Sequence, residues 1–554
     1  MSRYLGVLAL VTMLAASFAV FSGEEPAKDA KDKGNDKGKA EPKDIDIVKD
    51  ARDWNSDKFV GPPTQFRQGH VTPHPLDDKV LQKTDAGFVI SLPSNAPIPT
   101  PTVYDGKLYL SGGFHSKQFF CMDAATGKFV WGMNLDDDGP SAAVVEDGVC
   151  VFNTESCTIF ALDAKTGKHL WSYWLGDPLT STPTIANGVV FTSYPAGGGA
   201  ALQMEQNVPQ NNLQKDLVPQ QKSAPDEPKP VQQVPQVKQL PQPAKNANGK
   251  GAPPCSHVLA AFDLKSGKIL WQRWIDSDVM SAPVAVDKEL YVTSFAGVVY
   301  RFKQKDGEIV SARKSRATSA PVVVGKEVYL TKRTDDGKGP AREAIAAQER
   351  DSERQVYQTK DKIAAHIDRQ VQADSKLNEL GKNLDAGNGF GGGAPATANA
   401  QAAKQNIGQA SVSTMQAWQG ARILNYRDRN INCMGDEVVC VDPKTGKNLW
   451  SFKLEGDLKK EGGMLAAPPA AAGGMLFLAT LNGQILQMDP KEGKVVKSYK
   501  VGHQSRFQPV IVDGKIYVGT QNGKVVCVDT GDKQFTGWNC WGANAAHTGL
   551  LKDK

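Results

Sequence analysis

Few side chains in this 554-residue sequence are spaced as a metal or catalytic site would need them. The most acidic run, residues 136–139 (Asp-Asp-Asp-Gly), offers carboxylate oxygens of the kind that Ca²⁺ prefers, but the spacing and the final Glu of an EF-hand are missing. His70 and His74 could share a metal ion, although the sequence places no third ligand beside them. Motifs such as G-x-S-x-G, H-E-x-x-H or a Walker loop are missing. We therefore predict a solvated acidic loop at 136–139 and assign no catalytic, cofactor-binding or metal-binding residue.

Basic residues gather at one kind of predicted connection between strands. These candidate binding residues are Arg313, Lys314, Arg316, Arg422, Arg427 and Arg506. If their connections reach one face of the fold near its centre, they could bind an anionic or acidic partner. A scattered, solvated rim is the alternative.

The eight cysteines follow no disulfide scaffold and no Cys-x-x-Cys metal motif. Cys121, Cys440 and Cys527 each stand two residues before an Asp, and Ala161 and Ala261 take the same place in related segments. Because Ala and Cys alternate there, we predict that this position needs a small buried apolar residue rather than a reactive thiol.

The overall composition excludes several classes of protein. Lys and Arg number 65 against 60 Asp and Glu, which gives a net charge of +5 without a concentrated basic region, so we expect no nucleic-acid partner. Only one stretch is apolar enough to meet a membrane, which excludes a polytopic membrane protein.

That apolar stretch, residues 5–21, follows Arg3 and precedes small residues, as in a secretory signal peptide. We predict a signal peptide over 1–23, with an uncleaved N-terminal anchor as the alternative. Residues 24–86 are predicted to form a Lys/Asp-rich tether and N-terminal extension, of which 26–50 should be solvated. The expected location is the periplasm or cell envelope, with no transmembrane domain in the mature form.

A repeat runs through most of the remaining sequence. The segments CMDAATGKFVW (121–131), ALDAKTGKHLW (161–171), AFDLKSGKILW (261–271) and CVDPKTGKNLW (440–450) share Asp, Gly, Lys and Trp in register. Each predicts a strand that ends at Asp, a tight turn closed by Gly, and a second strand that carries Trp. Weaker copies follow, and in the most diverged copy, residues 345–358, Tyr357 takes the place of Trp.

A second hairpin follows each turn, in segments such as TPTVYDGKLYL and QPVIVDGKIYV. Four strands in about 40 residues are typical of a β-propeller blade. We predict eight blades, with cores near 97–135, 139–175, 179–275, 279–315, 318–359, 419–454, 465–501 and 507–538. Residues 87–92 should supply the outer strand of the last blade and close the ring. Seven blades remain the alternative if 340–358 is helical.

Two insertions interrupt the repeat. Residues 200–254 are rich in Pro and Gln, which predicts a disordered loop within blade three. Residues 360–417 begin with apolar residues near helical spacing, including Ile363 and Ile367, and continue as a Gly/Ala-rich stretch. We expect a helical excursion on the rim of the propeller, or a helix that binds a partner.

The repeat A/C-x-D-x-x-T/S-G-K-x-x-W resembles that of the pyrroloquinoline-quinone (PQQ) repeat family of propellers over about 88–549, which gives a propeller domain at 87–549 and a tail at 550–554. Residues 538–549 (GWNCWGANAAHTG with the preceding Gly) are similar to a tag that usually opens the chain in that family. The resemblance implies an all-β, eight-bladed fold. It also implies one of two roles, either a dehydrogenase with PQQ and Ca²⁺ in the central channel or a non-catalytic protein such as the outer-membrane barrel-assembly lipoprotein.

The sequence favours the non-catalytic role. It has no pair of adjacent cysteines, which the enzymes typically place against the cofactor, and no residue matches their base or calcium ligands. We expect a binding or scaffolding protein of the cell envelope without a cofactor, which acts in outer-membrane protein assembly. Its expected partner is an envelope protein or peptide. The alternatives are a PQQ-dependent alcohol or sugar dehydrogenase and a carbohydrate- or peptide-binding ectodomain.

Overall fold

In a computed structural model of the protein, the described residues are 44–551 without 65, 156, 176–180, 196–249, 252, 336–340, 366–421 and 462–463. They form eight antiparallel sheets in which consecutive strands pair, as in the blades of a propeller. The first strands of six of the eight pairs of neighbouring blades lie side by side, and among them the first strand of blade 8 lies against that of blade 1, which closes the ring. The prediction of an all-β, eight-bladed propeller is confirmed.

The first four blades are built from strands β5 to β20. Blade 1 contains β5 (Thr102–Tyr104), β6 (Lys107–Ser111), β7 (Gln118–Asp123) and β8 (Phe129–Leu135). Blade 2 contains β9 (Val144–Glu146), β10 (Val149–Asn153), β11 (Thr158–Asp163) and β12 (His169–Trp174). Blade 3 contains β13 (Thr184–Ala186), β14 (Val189–Pro195), β15 (His257–Asp263) and β16 (Ile269–Ile275). Blade 4 contains β17 (Val284–Val286), β18 (Glu289–Thr293), β19 (Val298–Lys303) and β20 (Ile309–Lys314).

The last four blades follow the same order. Blade 5 contains β21 (Val322–Val324), β22 (Glu327–Arg333), β23 (Ala341–Glu349) and β24 (Gln355–Gln358), and β25 (Lys362–Ala365) also pairs with β23. Blade 6 contains β26 (Leu424–Asn425), β27 (Asn430–Met434), β28 (Glu437–Val441) and β29 (Asn448–Lys453). Blade 7 contains β30 (Ala470–Ala472), β31 (Met475–Ala479), β32 (Gln484–Met488) and β33 (Val495–Lys500). Blade 8 contains β34 (Val510–Val512), β35 (Lys515–Gly519) and β36 (Lys524–Asp529), with β4 (Gly87–Ser91) as its fourth strand.

Two uncertain points of the sequence interpretation are thereby decided. The diverged segment 341–358 is a β-hairpin, because Ala347 pairs with Tyr357. Strand β4 closes blade 8 through the pair Val525 and Ile90. A further strand, β3 (Leu81–Thr84), pairs with β4, so the sheet of blade 8 has five strands.

The repeated tryptophans join neighbouring blades. Each indole N–H donates to a main-chain carbonyl in the turn that precedes the outer strand of the next blade, at Trp131–Ala164 (3.2 Å), Trp171–Leu264 (2.9 Å), Trp271–Gln304 (2.8 Å) and Trp450–Pro490 (3.0 Å). The turn glycine packs against the same ring, so a Cβ at Gly267 would lie 2.7 Å from Trp171. A Cβ at Gly446 would meet Tyr357 in the same way, which shows that Tyr357 replaces a tryptophan between blades 5 and 6. The Trp and Gly of the repeat are therefore explained by packing between blades.

Ion pairs replace this contact between blades 4 and 5. Arg301 of β19 donates to Glu289 and to the carbonyl of Arg350, which lies in the β23–β24 turn. Arg350 returns hydrogen bonds to Glu289 and Asp287 in blade 4. The side chains of Arg301 and Arg350 are only 10% and 14% exposed, so these bonds are partly shielded from water.

A segment that we call the N-terminal strap, residues 44–84, follows the outer edges of the blades. It includes β1 (Ile45–Asp46), α1 (Val48–Trp54), β2 (Val71–Pro73), a 3₁₀ helix at Asp78–Val80 and β3. Strand β1 pairs with β20 of blade 4, α1 lies against blades 3 and 4, and β2 pairs with β8 of blade 1. On blade 2, the main-chain N–H of Trp174 donates to the carbonyl of Arg67.

The strap corrects the expectation of a solvated tether over 26–50. The described part of that predicted tether, from Asp44 onward, is bound to the propeller, because Asp44 accepts hydrogen bonds from Lys332 and Gln348 of blade 5. The strap binds mainly through main-chain groups at sheet edges, which its hydrophilic composition does not reveal.

Other predictions fall partly or wholly outside the described residues. These are the signal peptide at 1–23, the tether before residue 44, most of the Pro/Gln-rich insertion and most of 360–417. Within the last segment, Ile363 lies in β25, so its start is a strand and not the predicted helix. Besides α1, a short α2 (Leu458–Glu461) precedes blade 7, and no helix among the described residues is long and apolar enough to span a membrane.

The cysteines occupy the positions that the repeat predicted. None of the eight cysteines, which all lie within the described residues, forms a disulfide, and all except the half-buried Cys255 are buried. Burial raises the pKa of Cys121, Cys440 and Cys527 to about 12, so these thiols are protonated at neutral pH and act as small apolar side chains.

Candidate functional site

The centre of the propeller is occupied by the end of the chain. We call residues 538–551 the axial segment. The middle residues of four innermost strands donate their main-chain N–H groups to it, in the pairs Ile511–Trp538 (2.8 Å), Val103–Asn539 (2.8 Å), Ile185–Ala545 (2.8 Å) and Ala285–Ala546 (3.0 Å). Innermost strands have a free edge that faces the axis. The axial segment therefore satisfies the inner edges of blades 8, 1, 3 and 4.

His547 fixes the axial segment to blade 3. Its Nδ1 lies 2.7 Å from the carbonyl oxygen of Trp541 and its Nε2 lies 2.9 Å from that of Pro183. The imidazole is fully buried and lies edge-on to the Trp541 ring at 5.0 Å. Burial lowers the pKa of His547 to about 4, and the two carbonyls act in the opposite direction, because both can accept only from the protonated ring.

Arg422, one of the six candidate binding residues, is buried against the axial segment. Its guanidinium lies 4.6 Å from the centre of the Trp541 ring and donates to the carbonyls of Pro321 and His547. Its Nε and Nη1 have no hydrogen-bond partner among the described residues, and a Cβ at Gly542 would meet Nη1 at 2.5 Å. Burial lowers its pKa to about 9, which leaves it charged at neutral pH. In this structure Arg422 holds the axial segment in place through cation–π and carbonyl contacts.

The other five basic residues do not form one cluster. Arg313 and Lys314 are the last two residues of β20, whereas Arg316, after β20, and Arg506, before β34, lie on connections between blades. Arg427 lies on the turn between β26 and β27, at the other end of its blade. The expectation that all six share one face is therefore wrong for Arg427.

Their contacts differ as well. Arg506 donates to the carbonyls of Met464 (3.1 Å) and Glu461 (2.9 Å), and Arg313 lies 3.5 Å from the carboxylate of Glu353. Lys314 is exposed at the edge that β1 covers, and Arg427 is exposed over the ring of Tyr426. Binding of an anionic partner by this set stays a prediction.

Acidic residues of two connections are buried rather than solvated. Asp137 accepts hydrogen bonds from the hydroxyls of Thr154 and Thr158 and is 8% exposed, which corrects the solvated loop expected at 136–139. In blade 4, Asp276 accepts hydrogen bonds from Tyr300 (2.8 Å) and Ser294 (3.1 Å). The described residues contain no group of three His, Cys, Asp or Glu side chains placed to hold a metal ion. Asp137 and Asp276 therefore stabilise the connections between blades by accepting hydrogen bonds from nearby hydroxyls.

Sequence reasoning recognised residues 538–549 as a family tag without placing them at the axis. One feature of the sequence could have placed them there. Residues 538–549 follow the last predicted strand, so every blade has its four strands without them. The innermost strands then still have a free edge, and an apolar segment with Trp538 and Trp541 is the remaining group that could cover it.

The fold and its repeat define an eight-bladed propeller of the PQQ-repeat class. The family model described as outer membrane protein assembly factor BamB matches residues 94–212, 256–420 and 420–536. The chain belongs to this family.

Individual relatives are more distant. A stretch of 94 residues is 32% identical to the quinoprotein alcohol dehydrogenase PedH of Pseudomonas putida, and it spans 16% of this chain and 16% of that protein. BamB of Moraxella catarrhalis is similar in structure over 81% of this chain and 97% of its own, with 14% identity and a TM-score of 0.46. The quinohemoprotein alcohol dehydrogenase ADHIIG of Pseudomonas putida is similar over 81% of this chain and 76% of its own, with 12% identity and a TM-score of 0.45. Structural similarity at this level does not distinguish the two roles.

Proposed function

We propose that the protein is a non-catalytic binding or scaffolding protein of the cell envelope that takes part in outer-membrane protein assembly. Membership of the BamB family supports this role. The observation that carries the proposal is the axial segment, which fills the centre of the propeller with the chain's own backbone. With its axis filled in this way, the propeller has its two faces and the outer edges of its blades left to bind partners.

The axis does not fit a quinone cofactor. PQQ carries three carboxylates and needs cations for them, and the reaction needs Ca²⁺ beside a carboxylate base. Arg422, the cation at the axis, is already stacked on Trp541 and bonded to the carbonyl of His547. Only Cys540 of the eight cysteines lies in the axial segment, so the segment offers no adjacent cysteine pair.

The second candidate is a dehydrogenase, which the 94-residue match to PedH favours. Equilibrium dialysis of the purified chain with PQQ and Ca²⁺, followed by a dye-reduction assay with alcohols and aldoses, separates the two candidates. We expect no saturable binding at micromolar PQQ and no turnover. Stoichiometric binding with substrate-dependent dye reduction would instead establish the enzyme.

The assembly role is tested in the cell. Removal of the protein is expected to lower the amount of folded β-barrel protein in the outer membrane, and the tagged chain is expected to copurify with components that assemble those barrels. A mutant strain with normal levels of folded barrels, and no assembly component among the captured proteins, would exclude the role.

A further inference from the structure

The outer strands of blades 6 and 7, β29 and β33, have no partner on their outer edge among the residues that the structure describes. By contrast, the strap contacts the outer strands of blades 1 to 4, and β3 covers β4 in blade 8. Strand β24 of blade 5 pairs only with β23 among the described residues, but it has four residues and is shorter than β29 and β33. We call the outer edges of β29 and β33 the open edge. An unpaired outer strand presents main-chain N–H and C=O groups that can pair with another extended chain.

The side chains of β29 and β33 are also more exposed than those of the outer strands that the strap covers. Five of the six residues of β33 and four of the six of β29 are exposed, whereas the covered strands β8, β12 and β16 each have one exposed residue. The exposed set of β33 includes Val496, which is 58% exposed, whereas Leu449 of β29 is 45% exposed, as is Leu270 at the same position of the covered strand β16. The open edge therefore offers apolar contact area together with unpaired backbone groups.

The charge of the open edge selects the partner. Residues 491–500 carry four lysines and one glutamate, and residues 444–453 carry three lysines and no acidic residue. All seven lysines are exposed. Lys497 lies 4.7 Å from the ring centre of Tyr499. Lys494 pairs with Glu492 and Lys453 pairs with Asp436, and the remaining lysines supply the excess of positive charge. An acidic strand complements this surface.

The chain itself contains such a strand on another blade. In the strap, Ile45 and Asp46 pair antiparallel with Lys314 and Arg313 of β20, and Asp44 binds Lys332 of blade 5. A short run that alternates Asp with Ile thus already pairs with a basic outer strand in this protein.

We infer that the open edge of blades 6 and 7 binds an extended acidic segment of a partner protein, in which Asp or Glu alternates with β-branched residues, by adding it as a fifth antiparallel strand. The inference rests on the proposed function and names the chemistry of the partner. Backbone pairing supplies the orientation, Val496 and Leu449 supply apolar contact, and the lysines select against basic segments.

The direct test uses a fluorescent peptide of about eight residues that alternates Asp and Ile, which is enough for one strand. Fluorescence anisotropy with the purified full chain should show saturable binding that weakens as salt rises. A peptide with Lys in place of Asp, and one with alternate amides methylated so that they cannot donate, should both fail to bind. Equal binding of the methylated peptide would overturn strand addition.

Charge reversal locates the site. Lys497→Glu together with Lys500→Glu should weaken peptide binding about tenfold without changing the unfolding temperature, because both side chains are exposed. The matched control is Lys165→Glu with Lys168→Glu, two exposed lysines beside the covered strand β12, which should leave binding unchanged. Equal weakening by both pairs would show that net charge acts without a site.

The same variants separate this inference from the proposed function. If the variant at Lys497 and Lys500 still captures barrel-assembly components as well as the unaltered chain does, the open edge is not the binding surface, although the assembly role stands. If the peptide binds as expected while barrel levels are normal without the protein, the edge binds acidic strands and the assembly role fails.

Discussion

Replacing a turn glycine tests whether the contacts between tryptophan and glycine hold the blades together. Gly267 has a φ of +70°, and a Cβ there would lie 2.7 Å from two ring atoms of Trp171 in blade 2. Gly188 has nearly the same φ, +72°, but a Cβ there would have no heavy atom within 4 Å. The pair separates backbone strain from steric overlap between blades.

The magnitudes follow from these two environments. Alanine in the left-handed region costs about 1–2 kcal/mol at either position. Overpacking against a rigid ring adds about 1–3 kcal/mol at Gly267 alone. We expect Gly267→Ala to lower the free energy of unfolding by about 2–5 kcal/mol and Gly188→Ala by about 1–2 kcal/mol.

Urea denaturation followed by tryptophan fluorescence and circular dichroism measures both changes. Combining Gly267→Ala with Trp171→Ala supplies a double-mutant cycle, in which the combined loss should be smaller than the sum because the ring that causes the overlap is gone. Equal losses for the two glycine variants, to within about 0.5 kcal/mol, would refute the packing argument.

Two further predictions concern the buried or partly buried charged side chains Glu343 and Arg350. Burial raises the pKa of Glu343 from 4.5 to about 7, so between these pH values the folded state holds a proton that the unfolded state has released. The stability present below pH 4.5 is therefore lost as pH rises through 7, by about 3 kcal/mol. Urea midpoints across pH measure this trend, and its persistence in Glu343→Gln would contradict the assignment. Arg350→Met should destabilise the protein by about 2 kcal/mol, because it removes the hydrogen bonds from blade 5 to Glu289, which keeps only Arg301 as a charged partner. The control Lys303→Met breaks an exposed pair and should have almost no effect in the same assay, and equal losses would contradict the role given to the ion pairs between blades 4 and 5.

The blades could be predicted from the sequence because most of them repeat the same short pattern of residues. Asp caps a turn, Gly takes a positive φ, and Trp fills the space to the next blade, so even Tyr357 could be placed in the register of the lost tryptophan. Strand β4 was predictable for the same reason, since it fits the pattern of a fourth strand.

The strap and the site could not be predicted in this way. The strap pairs through its backbone, so that Asp44 and Asp46 look like part of a solvated charged run until their partners Lys332 and Arg313 are known. Arg422 looks like any other basic residue between blades, because its burial depends on an axial segment more than a hundred residues further along the chain. Both cases depend on contacts between residues that are distant in sequence.

Strand β4 at the rim and the axial segment at the centre determine when the molecule can finish folding. Asn539 bonds to Val103 across 436 residues, and β4 waits for β36, so the ring cannot close on any growing chain that lacks the last blade. Such distant contacts make folding slow. A shortened or unfinished chain would display bare strand edges on both the inside and the outside of its blades, the surfaces from which aggregation starts. Completion of the fold thus depends on blade 8 and the axial segment.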